Sequence, residues 1–271
     1  MSTQSRMDRV SVTTIRNMKE KGEKITMLTA YDYPTALALD QCGVEMLLVG
    51  DSLGMVVLGY DSTLPVTMED MIHHTKAVSR GASSSMVISD LPFLSYHCSV
   101  DEAVWNAGRL MQEGAQGVKL EGGRENAETV RRICLAGIPV VAHLGLTPQS
   151  VHQLGGYRVQ GKDQGAAERM IDDAKILEEA GAFAVVLECI PSSLGKAITE
   201  SVSIPTIGIG AGPDCDGQVL VIHDILGLYE RFTPKFVKQY SALNKSIRRS
   251  VKKFMQEVKE GSFPDENHSF R

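Results

Sequence analysis

The feature of this sequence that most constrains its fold is a series of eight short apolar runs. Each run has the length of one β-strand and is apolar throughout rather than alternating, which is typical of parallel strands buried on both faces. The runs cover residues 25–30, 46–50, 86–89, 117–120, 139–142, 184–187, 205–209 and 218–222.

Helical patterns that end at glycine separate many of these runs. Residues 166–180 have helical spacing before Gly181, residues 104–111 before Gly114, and residues 129–136 before Gly137. Repeated helix–glycine–strand units in a chain of 271 residues favour a (β/α)₈ barrel, since such a barrel takes about 250 residues. The alternative is a doubly wound open sheet, but the glycines at 208–212 lack the G-x-G-x-x-G spacing of dinucleotide-binding proteins.

We therefore expect one barrel domain over residues 1–271. A polar, partly helical lead-in would cover about residues 8–20, and a Lys/Arg-rich amphipathic helix with a loose tail would cover about residues 235–271. For the basic helix, a solvated face is favoured over a partner-binding one.

Composition excludes several classes of protein. A net charge of −5 and a pI of about 5.8 argue against a nucleic-acid binder. The five cysteines are widely spaced and form no C-x-x-C pair, which argues against a disulfide framework or a zinc site and fits a reducing cytoplasm. There is no run of about 18 apolar residues to span a membrane, and the N-terminus does not have the pattern of a secretory signal.

Polar residues follow five consecutive predicted strands at their carboxyl ends, where barrels of this type form their active sites. Crowded carboxylates repel one another unless a cation neutralises them. A functional site at this mouth is therefore predicted from Asp51, Ser52, Asp90, Lys119, Glu121, His143 and Glu188.

The oxygen-only character of the carboxylates suits Mg²⁺ or a similar hard cation. Asp51 and Asp90 are the expected direct ligands, and Glu121 would bind directly or through a water molecule. The alternatives are a helix cap for Asp51, a turn hydroxyl for Ser52 and an ion pair with Lys119 for Glu121.

Lys119 and Glu121 stand two residues apart on one strand and so face the same side. Lys119 could form a Schiff base or act electrostatically. Neighbouring carboxylates raise the pKa of a lysine, and a Schiff-base lysine needs a depressed one, so the electrostatic role is favoured.

Three other features have a functional and a structural interpretation. An apolar run leads into Glu188, which suits a general base but also a structural carboxylate. Residues 53–67 form a long segment that could close over the metal site or be a surface loop. The glycines at 208–212 could approach a ligand or form a tight turn. His73 and His74 are adjacent on a predicted helix and cannot form a metal pair.

Several longer motifs stand in order between about residues 24 and 240. They include LVGDSLGM at 48–55, DSTLPVT at 61–67, SDLPF at 89–93, VKLEGG at 118–123, HLGLTPQS at 143–150, LEC at 187–189 and IGIGAG at 207–212. In these motifs the chain resembles the ketopantoate hydroxymethyltransferase family. Ala142 stands where the family pattern leads us to expect glycine, a conservative departure.

The resemblance implies a (β/α)₈ barrel of the phosphoenolpyruvate/pyruvate type and an enzyme of pantothenate synthesis. The implied reaction transfers a hydroxymethyl group from 5,10-methylenetetrahydrofolate to 3-methyl-2-oxobutanoate, giving 2-dehydropantoate. The family also forms decameric rings, so the resemblance implies a homo-oligomer.

By the same resemblance, Asp51 and Asp90 are Mg²⁺ ligands and Glu121 is an outer-sphere metal contact. Substrate contacts are assigned to Asp51, Ser52, Asp90 and Lys119, and the catalytic base to Glu188. His143 is an additional candidate that would orient substrate or fill the barrel mouth.

Two alternative functions remain open from the sequence. A metal-dependent lyase or mutase of the same barrel type would need more arginine at the mouth, where Arg124 and Arg158 are the obvious candidates. A metabolite-binding barrel without catalysis would have no need of a base such as Glu188.

Overall fold

The computed structural model describes residues 9–270 and has two compact units. The first ends at Val221 and the second begins at Ile222. The prediction about a secretory signal, and the start of the predicted lead-in, lie in residues 1–8, outside the described residues. A single domain over the whole chain stays a prediction beside this division.

The first unit contains eight parallel strands that close into a barrel in chain order, β1 to β8, with β8 paired to β1. All eight predicted strands are confirmed within two or three residues at each end. The strands are β1 Ile25–Thr29, β2 Met46–Val49, β3 Met86–Asp90, β4 Gly117–Glu121, β5 Val140–Gly145, β6 Ala184–Glu188, β7 Thr206–Ile209 and β8 Gly217–Leu220.

Helices connect most of these strands, as the (β/α)₈ prediction requires. Polar side chains cap several of them: Ser11 accepts from the Thr14 N–H, Thr67 from Asp70, and Asp163 from Ala166. The helices of the first unit are α1 Val12–Lys21, α2 Tyr33–Gln41, α3 Leu53–Val56, α4 Met68–Gly81, α5 Val100–Gln112, α6 Ala127–Leu135, α7 Gln164–Glu179 and α8 Ser192–Ser201.

The barrel interior changes from apolar to charged along the strands. Met86 and Ile88 of β3 lie in the buried core, and the next residue on the same face of the strand is Asp90. On β6, Val186 precedes Glu188 in the same way. Since alternate residues of a strand share a face, the charged residues form the carboxyl-terminal layer of an otherwise apolar interior.

Helix α1 covers the opposite, amino-terminal end of the barrel. Ile15 is fully buried and belongs to the same core cluster as Ile25, Met46 and Phe183. The lead-in was predicted at about residues 8–20, and the helix runs from Val12 to Lys21 because Ser11 caps it.

Lys19 fastens α1 to distant parts of the chain. Its ammonium group donates to the carbonyl oxygens of Thr199, Val202 and Ile204 at 2.9–3.1 Å and pairs with Asp216 at 3.0 Å. These bonds join the first helix to the end of α8 and to the segments that enter β7 and β8.

The second unit contains α9 Ile222–Ile225 and α10 Leu243–Glu260. The predicted start of the basic helix at about residue 235 is wrong. Residues before Leu243 form turns instead, because the Tyr240 and Ser241 N–H groups donate to the Ile225 carbonyl and are not available for helical bonds. In residues 9–270 no helix has the length and apolar character needed to cross a membrane.

Candidate active site

Strand register brings the predicted polar residues together at the carboxyl end of the barrel. Asp90 stands beside Lys119 across β3 and β4, and Glu121 stands beside His143 across β4 and β5. Glu188 follows on β6, where its partner on β5 is Gly145.

Contacts join most of these side chains into one cluster. The Asp51 N–H donates to Asp90 Oδ2 at 3.0 Å, and Lys119 Nζ pairs with Asp90 Oδ1 at 3.2 Å. Lys119 Nζ lies 3.3 Å from His143 Nδ1, and His143 Nε2 lies 3.3 Å from Glu188 Oε2.

Asp51 and Asp90 are buried carboxylates that resist ionisation. Burial raises the pKa of Asp51 well above its usual value, and the charges of Asp90 and Glu121 raise it further. Burial also raises the pKa of Asp90, against the opposing effect of Lys119. Asp90 Oδ1 accepts no hydrogen bond of good geometry, although it pairs with Lys119. A cation at this point would remove the repulsion that opposes ionisation.

Lys119 is a buried cation surrounded by carboxylates. Burial disfavours its charge, but Asp90, Glu121 and Asp51 outweigh burial and raise the pKa of the ammonium group. A lysine held in its charged form is a poor nucleophile. This supports the electrostatic interpretation of Lys119 over the Schiff base.

His143 lies between two glutamates. Its Nδ1 is 3.6 Å from Glu121 Oε1, in addition to the Nε2 contact with Glu188. Burial and Lys119 disfavour the charged ring, yet Glu121 and Glu188 outweigh them and raise the pKa of His143 to about 9. Burial also opposes ionisation of Glu121, but hydrogen bonding and charge from His143, together with Lys119, lower the pKa of that carboxyl group.

Glu188 is the most accessible carboxylate of the cluster, with 17% of its side chain exposed. Its backbone is fixed by a close approach to β5. Gly145 has φ +99°, and a Cβ there would lie 2.2 Å from the Glu188 carbonyl oxygen. The next residue, Cys189, has φ +48°, which is uncommon for a side chain other than glycine. Strand β6 therefore ends abruptly at Glu188.

Ser52 lies outside the chain of contacts that joins Asp51 to Glu188. It occupies the N-cap position of α3 without a side-chain capping bond, and its hydroxyl lies 2.8 Å from the Tyr31 hydroxyl. The Tyr31 carbonyl oxygen lies 2.6 Å from His74 Nδ1. The rings of His73 and His74 are 5.3 Å apart and nearly perpendicular, so the two adjacent histidines make an edge-to-face contact.

Sequence reasoning missed Gln149 and Tyr96. Gln149 Nε2 donates to Asp51 Oδ2 at 2.8 Å, and the Gln149 N–H donates to Glu121 Oε2 at 3.0 Å. The Tyr96 hydroxyl donates to Gln149 Oε1 at 2.8 Å. Neither residue ends a strand or carries charge, so the search for ionisable strand ends could not find them. The nearest signal was the position of Gln149 in the motif at residues 143–150.

Several features for which the sequence allowed a functional role have structural contacts in the fold. The stretch at 53–67 begins with the single-turn helix α3 and continues as turns. Gly212 has φ +90°, and a Cβ there would lie 2.4 Å from Ser192 Cβ, so the tight-turn interpretation of residues 208–212 is supported. Arg124 pairs with Asp173 at 2.5 Å.

The oxygen donors of this cluster fit a hard divalent cation held by few protein ligands. Within residues 9–270 no group of three or more His, Cys, Asp or Glu side chains has the arrangement of a metal site. Mg²⁺ usually takes only one or two carboxylates and completes its shell with water and substrate oxygens. Asp51 and Asp90 match that pattern, since they are adjacent, buried and repelled by one another.

Solved structures with a similar fold belong to another group of enzymes. Phosphonopyruvate hydrolase in complex with oxalate and Mg²⁺ aligns over 95% of this chain and 92% of its own, with a TM-score of 0.63 and 12% identity. 2,3-Dimethylmalate lyase, of the phosphoenolpyruvate mutase/isocitrate lyase superfamily, aligns over 95% and 91%, with a TM-score of 0.60 and 17% identity. These likenesses confirm the (β/α)₈ barrel fold.

Sequence relatives are far more similar. The 3-methyl-2-oxobutanoate hydroxymethyltransferase of Syntrophus aciditrophicus is 68% identical over the whole of both chains. That of Carboxydothermus hydrogenoformans is 62% identical over 97% of this chain and 96% of its own. Residues 9–266 match the model of the family described as ketopantoate hydroxymethyltransferase. The chain therefore belongs to the ketopantoate hydroxymethyltransferase family, a family of enzymes.

Proposed function

We propose that this enzyme transfers a hydroxymethyl group from 5,10-methylenetetrahydrofolate to 3-methyl-2-oxobutanoate, giving 2-dehydropantoate for pantothenate synthesis. The observation that carries this proposal is Glu188, a partly exposed carboxylate 3.3 Å from His143. His143 in turn lies 3.3 Å from Lys119 of the buried Asp51–Asp90–Lys119 group. The names of the relatives support the same reaction.

Asp51 and Asp90 would hold Mg²⁺ directly, and Glu121 would contact it through water. When bound, the ion would act as a Lewis acid that stabilises negative charge on the substrate. The buried positive charge of Lys119 offsets the carboxylate of the oxo acid, and the Ser52 hydroxyl donates a hydrogen bond to it.

Glu188 takes the proton from C3 of the oxo acid, and the C–H electron pair becomes the carbon–carbon double bond of the enolate. C3 of the enolate then forms a bond to the methylene carbon, whose bonds to both folate nitrogens break in the course of the reaction. One water molecule supplies the hydroxyl oxygen. The balance is oxo acid, methylenetetrahydrofolate and water to 2-dehydropantoate and tetrahydrofolate.

His143 Nε2 lies 3.3 Å from Glu188 Oε2 and would orient the Glu188 carboxylate toward the substrate. We also propose a cytoplasmic homo-oligomer, decameric by resemblance, that binds small-molecule substrates and neither nucleic acid nor membrane. Arg124 pairs with Asp173, which leaves fewer cations at the mouth to bind a second anionic group of a substrate. This argues against a lyase or mutase whose substrate carries two anionic groups.

Deuterium exchange at C3 of 3-methyl-2-oxobutanoate, followed by proton NMR with Mg²⁺ and without folate, tests the first half of the reaction. We expect exchange in the parent enzyme, its loss with a chelator, and a fall of about 10²- to 10⁴-fold in Glu188→Gln. Unchanged exchange in Glu188→Gln would remove Glu188 as the base.

Product formation after methylenetetrahydrofolate is added tests the second half. Conversion to 2-dehydropantoate supports the proposal. Cleavage of the oxo acid, trapping by borohydride, or substrate binding without any turnover would each favour one of the other functions.

A further inference from the structure

Gln149 is a buried, uncharged residue that contacts two carboxylates of the site at once. It lies in the 3₁₀ turn Pro148–Ser150, directly after β5, and is 4% exposed. Its side-chain amide donates to Asp51 Oδ2 at 2.8 Å, and its backbone N–H donates to Glu121 Oε2 at 3.0 Å. One residue thereby fixes side chains from the ends of β2 and β4.

The orientation of the Gln149 amide is determined by its surroundings. Nε2 donates both to Asp51 Oδ2 and to the Leu91 carbonyl at 3.0 Å, and Oε1 accepts from the Tyr96 hydroxyl at 2.8 Å. A flipped amide would set Oε1 against two acceptors and Nε2 against the hydroxyl. Both amide hydrogens are therefore used, and one of them always faces Asp51.

Tyr96 fixes this amide from the opposite side. Its hydroxyl accepts from the Glu121 N–H at 3.2 Å while it donates to Gln149, and the residue is 2% exposed. Burial raises the pKa of Tyr96, so the hydroxyl stays protonated and remains a donor. The end of β4 and the Gln149 amide are thus held by the same oxygen atom.

This network has a direct consequence for ion binding. Asp51 and Glu121 are both buried carboxylates, and the charge of Glu121 opposes the ionisation of Asp51 that cation binding requires. The Gln149 amide is neutral, so it holds an oxygen of Asp51 without placing a second positive charge at the proposed cation site. Groups that orient metal ligands in this way commonly change metal affinity by about 10- to 100-fold when they are removed.

We propose that Gln149 is a positioning residue for the divalent cation, and that Tyr96 keeps its amide in the required orientation. The inference rests on the proposed function, because it assumes that Asp51 and Asp90 bind the ion. Gln149 touches neither the ion nor the substrate in this proposal, and it acts through Asp51 and Glu121.

Mn²⁺ binding to the folded protein, measured by titration calorimetry and by electron paramagnetic resonance without substrate, tests the proposal. Gln149→Met keeps the length of the side chain and removes its hydrogen bonds. We expect its Kd for Mn²⁺ to rise about 10- to 100-fold. Tyr96→Phe removes one hydroxyl and should raise the Kd by a smaller factor.

Gln116→Met is the matched control. Gln116 precedes β4 at the other end of the barrel, and its side chain accepts from the Val87 N–H at 3.0 Å. We expect its Mn²⁺ affinity to remain within twofold of the parent even if its unfolding midpoint falls. An equal loss of affinity in the control would mean that any lost hydrogen bond has this effect, and would overturn the proposal.

The double variant Gln149→Met/Tyr96→Phe adds a second criterion. Because the two residues act through one hydrogen-bond network, the double variant should lose less affinity than the two single losses combined. If Gln149→Met binds Mn²⁺ as tightly as the parent, the proposal is overturned. If Gln149→Met does not fold, the same result in Tyr96→Phe overturns it. If the parent itself binds no Mn²⁺, the proposed metal chemistry fails, and this inference fails with it.

Discussion

His143 Nε2 lies 3.3 Å from Glu188 Oε2, on the neighbouring strand of the barrel. Since Nδ1 of the same ring faces Glu121, the imidazole connects the proposed base to the carboxylates at the proposed metal site. The ring is 2% exposed, so its charge state depends on these neighbours rather than on solvent.

We expect the stability contributed by His143 to depend on pH. Its pKa is raised to about 9 in the folded protein, above the ordinary value of 6.5. The contribution is therefore complete below about pH 6.5 and lost as the pH rises through about 9. The free energy of unfolding of His143→Gln in urea, without divalent ions, should fall below that of the parent by at most about 3 kcal/mol at pH 6. A difference that grows toward pH 9.5 would contradict this.

Asp51→Asn should make the metal-free protein more stable at neutral pH. Because the pKa of Asp51 is raised in the folded state, its ionisation costs stability as the pH rises above 3.8. The amide avoids that cost and can still accept from Gln149. With Mg²⁺ at 100 times its Kd the parent should gain about 2.7 kcal/mol and the variant almost nothing. Thermal unfolding with and without Mg²⁺ measures both effects, and equal Mg²⁺ stabilisation of both proteins would exclude Asp51 as a ligand.

Lys119→Met should destabilise the protein by about 3–5 kcal/mol at pH 7.5, because it leaves buried carboxylates without their cation. The loss should shrink at pH 5, where those carboxylates take up protons more readily. Lys76→Met is the control. Lys76 pairs with Glu113 at 3.0 Å on the surface, and such pairs are worth at most about 1 kcal/mol. Urea unfolding at both pH values measures the free energy of unfolding of the two variants. An equal loss in Lys119→Met and Lys76→Met would refute this prediction.

Gly145→Ala should damage the site through the backbone of Glu188. An alanine would be strained at φ +99° and its Cβ would collide with the Glu188 carbonyl oxygen. Gly137 has φ +84° with nothing within 4 Å of a new Cβ, so Gly137→Ala measures the cost of the backbone conformation alone, about 1–2 kcal/mol. We expect Gly145→Ala to lose at least about 1 kcal/mol more and to lose C3 exchange, whereas Gly137→Ala keeps it. Full exchange in Gly145→Ala would count against this role.

The fold could be predicted because short stretches of the sequence indicate its strands and helices. Each strand is an unbroken apolar run, and each of α5, α6 and α7 ends near a glycine with positive φ. The charged cluster could also be predicted, since parallel strands in a barrel place all their carboxyl ends at one mouth. Asp90, Lys119 and His143 meet there for that reason alone.

The rest of the site depends on contacts that no local pattern encodes. Gln149 reaches Asp51 across 98 residues of sequence, and Tyr96 reaches Gln149 across 53. Both are neutral, so a search for charge passes over them. The start of α10 was wrong for a related reason: the backbone before Leu243 bonds to Ile225, and helical periodicity cannot reveal that competition.

The attachment of Lys19 also has a consequence for biosynthesis. Its acceptors lie between Thr199 and Asp216, about 180–200 residues further along the chain. During translation the first helix is made early, but its anchoring partners emerge from the ribosome only near the end of synthesis. The contacts by which α1 covers the amino-terminal end of the barrel, including those of Ile15, therefore cannot be completed until late in synthesis. A ribosome that stalls before residue 199 leaves a nascent chain in which the barrel cannot close.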